Sequence, residues 1–269
     1  MLYLLTGAEG YVGSHVRRLF VGNGDTIKEL NFDLSENANY TEKYGEEYIV
    51  VHIAGEKSED KRRLIRNNIV ATSNVINNLV LENGCKGLVY ISSIAVFGIQ
   101  DGIITENSPF RYENYYGFSK YICEQIVQQT LTDKNWYILR PTNIYSYHTN
   151  NVIGVIANSI KYDKEFEVWK SSLATKRNYV HIEDVAEIIY KASKKLAVRN
   201  IQKSINIAGE KSYSLQEIIE ILENKYGKNL RQNVIDNGNY RGRDLFVDNT
   251  LMTQEFGYMQ TRDIADWKI

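Results

Sequence analysis

The stretch "LLTGAEGYVGSH", residues 4–15, decides the fold. It places glycines at positions 7, 10 and 13 directly after an apolar run and directly before a segment in which Val12, Val16, Leu19 and Phe20 recur at helical spacing. Gly22 and Gly24 then stop that helix, so the first unit reads as strand, glycine turn, helix. In such a unit the first glycine permits a tight turn, the second lets the main chain approach a pyrophosphate, and the third lets helix and strand pack closely. Free N–H groups and a partial positive charge at the helix start would face that phosphate. The spacing predicts a dinucleotide site, with a glycine-rich turn that binds nothing as the plain alternative.

The alternation continues outward from this unit. Strands are expected at "TIKEL" (26–30), "YIVVHIAG" (48–55), "GLVYISS" (87–93) and "WYILR", which ends at Pro141. The near-continuous apolar runs among them suit strands buried on both faces. Between them lie an amphipathic helix from Arg62 to Leu81, with Leu64, Ile65, Ile69, Val75, Ile76 and Leu79 on one side, and another from about Tyr115 to Leu131. Strands alternating with helices imply parallel pairing and right-handed crossovers. The expected fold is α/β, a Rossmann-like doubly wound parallel sheet, over residues 1–142.

After residue 142 the pattern changes. Short strands at "EFEVW", "TKRNYVHI" and "KSINIAG" mix with helices at "EDVAEIIYKASKKL" and "SLQEIIEILENKYG", the latter opening on Ser214 and Glu217 in capping-box positions. Residues 143–269 read as a smaller C-terminal α/β substrate lobe, with some segments returning to the main sheet.

Composition removes several functional classes. The 269 residues carry a formal net charge of −1, which leaves no long-range positive field for nucleic acid. No window approaches the ~18 apolar residues of a membrane span, and "MLYLL" is too short for a secretory leader. Cys85 and Cys123 follow no metal-binding or pairing pattern and read as free thiols of a reduced, cytoplasmic protein. His15, His52, His148 and His181 are scattered singly, so no metal centre is expected.

Two further groups bear on chemistry. Tyr116 and Lys120 in "YYGFSK" fall four residues apart, on one helix face. A phenol of ordinary pKa about 10 is a poor proton carrier at neutral pH unless a cation such as Lys120 favours the phenolate. Ser92 and Ser93 end a buried strand, and ligands of open α/β sheets bind beyond the carboxyl ends of strands. Each feature alone has an ordinary structural explanation; their order along one chain makes the combination improbable by chance.

Together these motifs identify the sequence as a member of the extended short-chain dehydrogenases/reductases, the NAD-dependent epimerase/dehydratase family. Thr6, Gly7, Gly10 and Gly13 match its TGxxGxxG, and "VVHIAG", "RNNIVATSNV", "SSIAVFG", "YYGFSK", "LRPTNIY" and "RNYVHIEDVAE" resemble its successive signatures. The resemblance implies NAD or NADP as cofactor, held by Gly7, Gly10, Tyr11, Val12, Gly13, Asp33, Ala54, Asn68 and Lys120. It implies Ser93, Tyr116 and Lys120 as the catalytic groups, and Ser93, Asn143, His148, Arg177, Arg241 and Arg243 as contacts to a nucleotide-sugar substrate. His181 and Asp184 are expected to be structural. A homodimer through the helix bearing Tyr116 is implied as well.

Departures from the family pattern shape the expected reaction. Asn31 stands where NAD-binding relatives often place an aspartate, with Asp33 two residues later, which leaves NAD and NADP both open. Ile94 and Ala95 replace the acidic pair of sugar dehydratases, so dehydration is disfavoured. The compact "ELNFDLSE" and the loop "PTNIYSYHTNN" resemble GDP-L-fucose synthase, which aligns His148 with its acid histidine but puts Ala95 where that enzyme has its cysteine. The leading expectation is a 4-ketoreductase acting on a nucleotide sugar with a Ser-Tyr-Lys triad. The alternative is a 4-epimerase that retains NAD, and the third reading is a catalytically silent NAD(P)-binding regulator.

Overall fold

The computed structural model of the chain describes residues 1–45, 47–146, 151–236, 238, 242–258 and 262–266. Its first half alternates as the apolar runs predict: β1 (Leu2–Thr6), α1 (Tyr11–Gly22), β2 (Thr26–Leu30), β3 (Tyr48–His52), a helix opening as α2 (Lys61–Leu64) and continuing through α3 (Ala71–Val75), then β4 (Cys85–Ile91), a short β5 (Ile103–Ile104), α4 (Tyr115–Thr130) and β6 (Asn135–Pro141). The helix that contains α2 and α3 widens to π-type turns over Ile65–Val70 and Ile76–Val80.

The second half runs β7 (Asn143–Tyr145), α5 (Val152–Lys161), β8 (Glu165–Trp169), α6 (Lys170–Leu173), β9 (Lys176–His181), α7 (Ile182–Leu196), β10 (Gln202–Ile207), β11 (Ser212–Ser214), α8 (Leu215–Tyr226), β12 (Arg231–Ile235), β13 (Phe246–Val247) and α9 (Thr250–Phe256). Six strands form one parallel sheet in the order β10-β6-β4-β3-β1-β2. The chain leaves β1 toward β2 on one side and β3 on the other, so the strand order reverses there and a crevice opens beyond the carboxyl ends.

Alternate residues of each strand feed two cores, which is why the runs look uniformly apolar. Tyr3 and Leu5 of β1 join Val16 and Phe20 of α1 and Val185, Ile188 and Ile189 of α7 on one face. Leu4 joins Val50, Leu88, Tyr90 and Ile138, covered by α3 and by Cys123 and Val127 of α4, on the other. The sheet is therefore doubly wound. β10 and α7, although late in sequence, belong to this layered unit.

A third core gathers α5, α8, β7, β8 and β9 around Ile153, Ile156, Ile218, Ile219 and Leu222. The capping box of Ser214 and Glu217 starts α8 as the sequence predicts, and Gly227 ends it at φ +62°. Asp184, 0% exposed, accepts from Tyr258 Oη (2.9 Å) and Arg262 Nη1 (2.5 Å), tying the C-terminal segment to the first turn of α7. His181 caps that helix, accepting from Glu183 N at 3.3 Å. Among the described residues no helix is long and apolar enough to cross a membrane, and no group of three or more His, Cys, Asp or Glu could hold a metal ion.

Candidate active site

The glycine turn has the geometry that its spacing requires. Gly7 lies at φ +66°, where a side chain would be strained, and a Cβ there would sit 2.8 Å from the Ala54 backbone. A Cβ on Gly13 would stand 1.9 Å from Gly7 O, so helix and turn touch through the missing side chain. Gly10 caps α1 with no side-chain hydrogen bond, leaving the first N–H groups of the helix for another acceptor. Val12 packs against the core and Tyr11 is exposed at the helix start.

Below the turn runs a buried polar chain. Thr6 Oγ1 accepts from Ile53 N and Ala54 N, both at 3.1 Å, and so spends its own proton on His52 Nδ1 (2.7 Å). That bond fixes the tautomer: His52 Nε2–H donates to Thr72 Oγ1 at 3.0 Å. Burial, together with the charge of Lys120, pushes the His52 pKa down to about 3, so the ring is neutral. The chain ties β1, β3 and α3 together immediately beneath the crevice.

Ser93, Tyr116 and Lys120 come together at the carboxyl end of β4. Asn114 starts α4 by accepting from Gly117 N (2.8 Å), which places Tyr116 and Lys120 on its first turns. Lys120, 4% exposed, donates from Nζ to Ile91 O (2.8 Å) and lies over the Tyr90 ring. The Tyr116 phenol is raised by burial, and a hydrogen bond from Ser93 partly offsets that rise. Burial lowers the Lys120 pKa, against the pull of Cys123 and Glu124. In this arrangement burial outweighs the Ser93 bond at the phenol, and the Lys120 amine donates to the Ile91 carbonyl.

Asn68 packs beside Lys120. Its amide donates to Ser119 Oγ (2.9 Å) and Glu56 O (3.0 Å) while its oxygen accepts from Glu56 N (2.7 Å). A Cβ on Gly55 would lie 3.1 Å from Lys120 Nζ and 3.3 Å from Asn68 Oδ1, so glycine is what allows this packing. Ala54 and Asp33 line a cavity of about 230 Å³ together with Phe32, Leu34, Ser35 and Gly55.

Sequence reasoning missed the support behind this group. Glu124, one turn after Lys120, is 0% exposed and accepts from Arg140 Nε (2.9 Å), Arg140 Nη2 (2.7 Å) and Ser92 Oγ (2.5 Å). The signal was present as an arginine closing the apolar strand "WYILR". An unpaired buried charge there would be untenable, so a carboxylate partner was required.

The residues expected to touch substrate are more dispersed. Asn143 is exposed on β7, its amide donating to Asn178 O at 3.2 Å. Arg177 on β9 donates to the carbonyls of Lys176 and Arg243, which brings Arg177 and the exposed Arg243 to one rim. His148 and Arg241 lie outside the described residues.

The profile of the NAD dependent epimerase/dehydratase family matches residues 3–208. The UDP-glucose 4-epimerase of Bacillus subtilis (strain 168) is 25% identical over a 320-position alignment covering 99% of this chain and 94% of that one. UDP-glucose 4-epimerase 4 of Oryza sativa subsp. japonica is 27% identical, over 84% of this chain and 77% of its own. Among solved structures, the UDP-glucuronic acid 4-epimerase from Bacillus cereus in complex with NAD superimposes with a TM-score of 0.85 at 19% identity, covering 99% of this chain and 95% of that one. That likeness speaks for the fold. With the family profile spanning the glycine turn, the Ser93–Tyr116–Lys120 cluster and α7, the chain belongs to the NAD dependent epimerase/dehydratase family.

Proposed function

We propose that the chain is a nucleotide-sugar 4-epimerase that works with NAD. The observation that carries the reading is the Ser93–Tyr116 hydroxyl pair beside buried Lys120, at the mouth of a crevice whose helix α1 offers uncapped N–H groups. The relatives turn the balance from the 4-ketoreductase, expected first from sequence, to the epimerase, since the matching proteins named above are UDP-sugar 4-epimerases.

The residues present fit NAD. Gly7, Gly10 and Gly13 leave the main chain open to a pyrophosphate at the α1 terminus, where side chains would intrude. Asp33 and Ala54 line the neighbouring cavity, and Asn68 and Lys120 pack against Gly55 of its lining. Bound NAD supplies reversible removal of hydrogen from carbon.

The chain's own groups handle the proton and the orientation. In the forward half-reaction Tyr116 takes the proton of the sugar 4-hydroxyl as the C4–H bond breaks, while Ser93 hydrogen-bonds the same oxygen. Lys120 would supply the positive charge that lets Tyr116 start as the phenolate, which becomes the neutral phenol as it takes that proton. The 4-keto sugar then turns over in the crevice, hydrogen returns to the opposite face of C4, and Tyr116 gives its proton back. Arg177 and Arg243, at the rim, suit a nucleotide diphosphate through their planar donor forks. Exposed Ile65, Tyr115 and Phe118 on the outer helices would form the homodimer face.

Incubation with UDP-glucose and no added cofactor tests the reading. The expected result is UDP-galactose, with near-stoichiometric NAD released on denaturation and turnover reduced by roughly 10³ in Tyr116→Phe. Turnover only with added NADPH and a 4-keto sugar would instead establish the reductase.

A further inference from the structure

We infer that Ser92 is a positioning residue: its bond to Glu124 holds the main chain entering Ser93, so that the Ser93 hydroxyl stays within reach of the Tyr116 phenol. The inference rests on the reading of Ser93 and Tyr116 as the reacting hydroxyl pair.

The junction at Ser93 needs such support. The ladder between β4 and β6 ends where Ile91 faces Leu139, and Ser92 N donates the last main-chain bond there, to Leu139 O at 2.8 Å. Beyond it the chain bends into a 3₁₀ turn over Ile94–Val96, which Ser93 caps by accepting from Ala95 N at 3.2 Å. Ser93 thus sits between the sheet and the turn, and its side-chain bonds to Ala95 N and Tyr116 do not tie it to the sheet.

Helix α4 grips this junction on both sides. Past Ser93, a Cβ on Gly117 would stand 2.4 Å from Ala95 O, so the helix rests directly on the turn, one residue from Tyr116. Before Ser93, Ser92 follows Tyr90 by two residues and so presents its side chain to the same face of the sheet, where α4 packs. There Ser92 Oγ donates to Glu124 Oε1 at 2.5 Å. Tyr116, Lys120 and Glu124 recur every four residues, so the helix face that carries the phenol and the amine also carries this carboxylate.

The far end of the bond is anchored. Glu124 is 0% exposed, and Arg140, 1% exposed, donates to both its oxygens, Nε to Oε1 at 2.9 Å and Nη2 to Oε2 at 2.7 Å. The guanidinium in turn lies over the Phe97 ring, 4.9 Å from its centroid, and Phe97 directly follows the 3₁₀ turn. A hydroxyl bonded to a carboxylate held in a buried ion pair has one direction in which to donate, and such charge-assisted bonds are about twice as strong as neutral ones. Removing the hydroxyl leaves the ion pair whole, so the fold should tolerate a loss that the alignment does not.

The test compares Ser92→Ala with the wild type in the epimerisation of UDP-glucose and in the crystal. The variant is expected to lower kcat roughly 10- to 100-fold, with KM and bound NAD unchanged and Tm lower by about 3–8 °C. Ser92→Thr, which keeps the hydroxyl, should recover most of kcat. In a Ser93→Ala background, Ser92→Ala should change kcat by less than about twofold, because the group it positions is gone. Crystal structures should show the Ser93 hydroxyl shifted from Tyr116 by on the order of 1 Å in Ser92→Ala. Ser92→Cys, nearly isosteric and only a weak donor, takes the place of the alanine variant if that one does not fold. Unchanged kcat in the folded variant, full additivity with Ser93→Ala, or an unmoved Ser93 would overturn the positioning role and leave the epimerase reading standing. A shifted Ser93 in a protein whose wild type does not interconvert UDP-glucose and UDP-galactose would support the positioning role and overturn the epimerase reading.

Discussion

At the cofactor end of the crevice, Lys120 and Asn68 are 4% and 2% exposed and are held by partners within the sheet and its helices. Where the substrate contacts are expected, Asn143 is exposed and Arg177 reaches the main chain of exposed Arg243. The first end is assembled from the interior outward: Thr6, His52, Glu124 and Arg140 are buried polar groups whose bonds set where the reacting groups stand. The second is laid over a finished core by β7, β9 and the loop before β13. The difference teaches where specificity can vary. On the function proposed above, a change at the cofactor end would alter fold and chemistry together, whereas a change at the rim would alter which substrate is held.

Substitutions that remove similar groups from the two ends sharpen the contrast. The largest effect is expected for Glu124→Leu, which leaves Arg140 charged and uncompensated in the interior. Urea unfolding should register a loss of about 3–5 kcal/mol, and a loss below about 1 kcal/mol would remove the pair from the account of the site. Gly13→Ala comes next, since its Cβ would meet Gly7 O at 1.9 Å. A loss of about 1–3 kcal/mol in stability, together with weakened dinucleotide binding, is predicted; unchanged NADH affinity would separate the turn from the cofactor.

Acid titration reaches the buried chain. His52 is neutral when folded, with its pKa near 3, but takes up a proton in the unfolded chain below about 6.5. Its contribution is therefore complete above pH 6.5 and is lost as pH falls toward 3, by up to about 1.4 kcal/mol per pH unit. The acid limb of the stability curve should be shallower in His52→Gln, and parallel limbs would contradict the neutral ring. The smallest change in stability is expected for Arg177→Gln, within about 0.5 kcal/mol, while KM for the nucleotide sugar rises about tenfold. An equal fall in kcat would place Arg177 nearer the reacting carbon than the rim.

The cofactor end was legible because its requirements are local. Three glycines at fixed spacing, a Tyr and a Lys one helical turn apart and a serine at a strand end each carry their own periodicity, and the apolar runs assign the two cores. What stayed hidden depends on contacts between residues far apart in sequence. Nothing local pairs Glu124 with Arg140 or Thr6 with His52, and the bond from Lys120 to the Ile91 carbonyl requires the packed helix. Asp33 is expected from sequence as a cofactor contact, but its ion pair with Arg66, 33 residues on, has no local signal. The rim was hardest to read because Arg177 and Arg243 meet through a loop.

The central claim is that Tyr116 exchanges a proton with the 4-hydroxyl of a nucleotide sugar while the hydrogen on C4 leaves and returns to the same molecule. The most direct measurement follows UDP-glucose carrying deuterium at C4, incubated with the purified protein without added cofactor and analysed by mass spectrometry and NMR. The account predicts UDP-galactose that keeps the deuterium at C4. Product that has exchanged it for solvent hydrogen, or no interconversion from protein that holds its NAD, would contradict it.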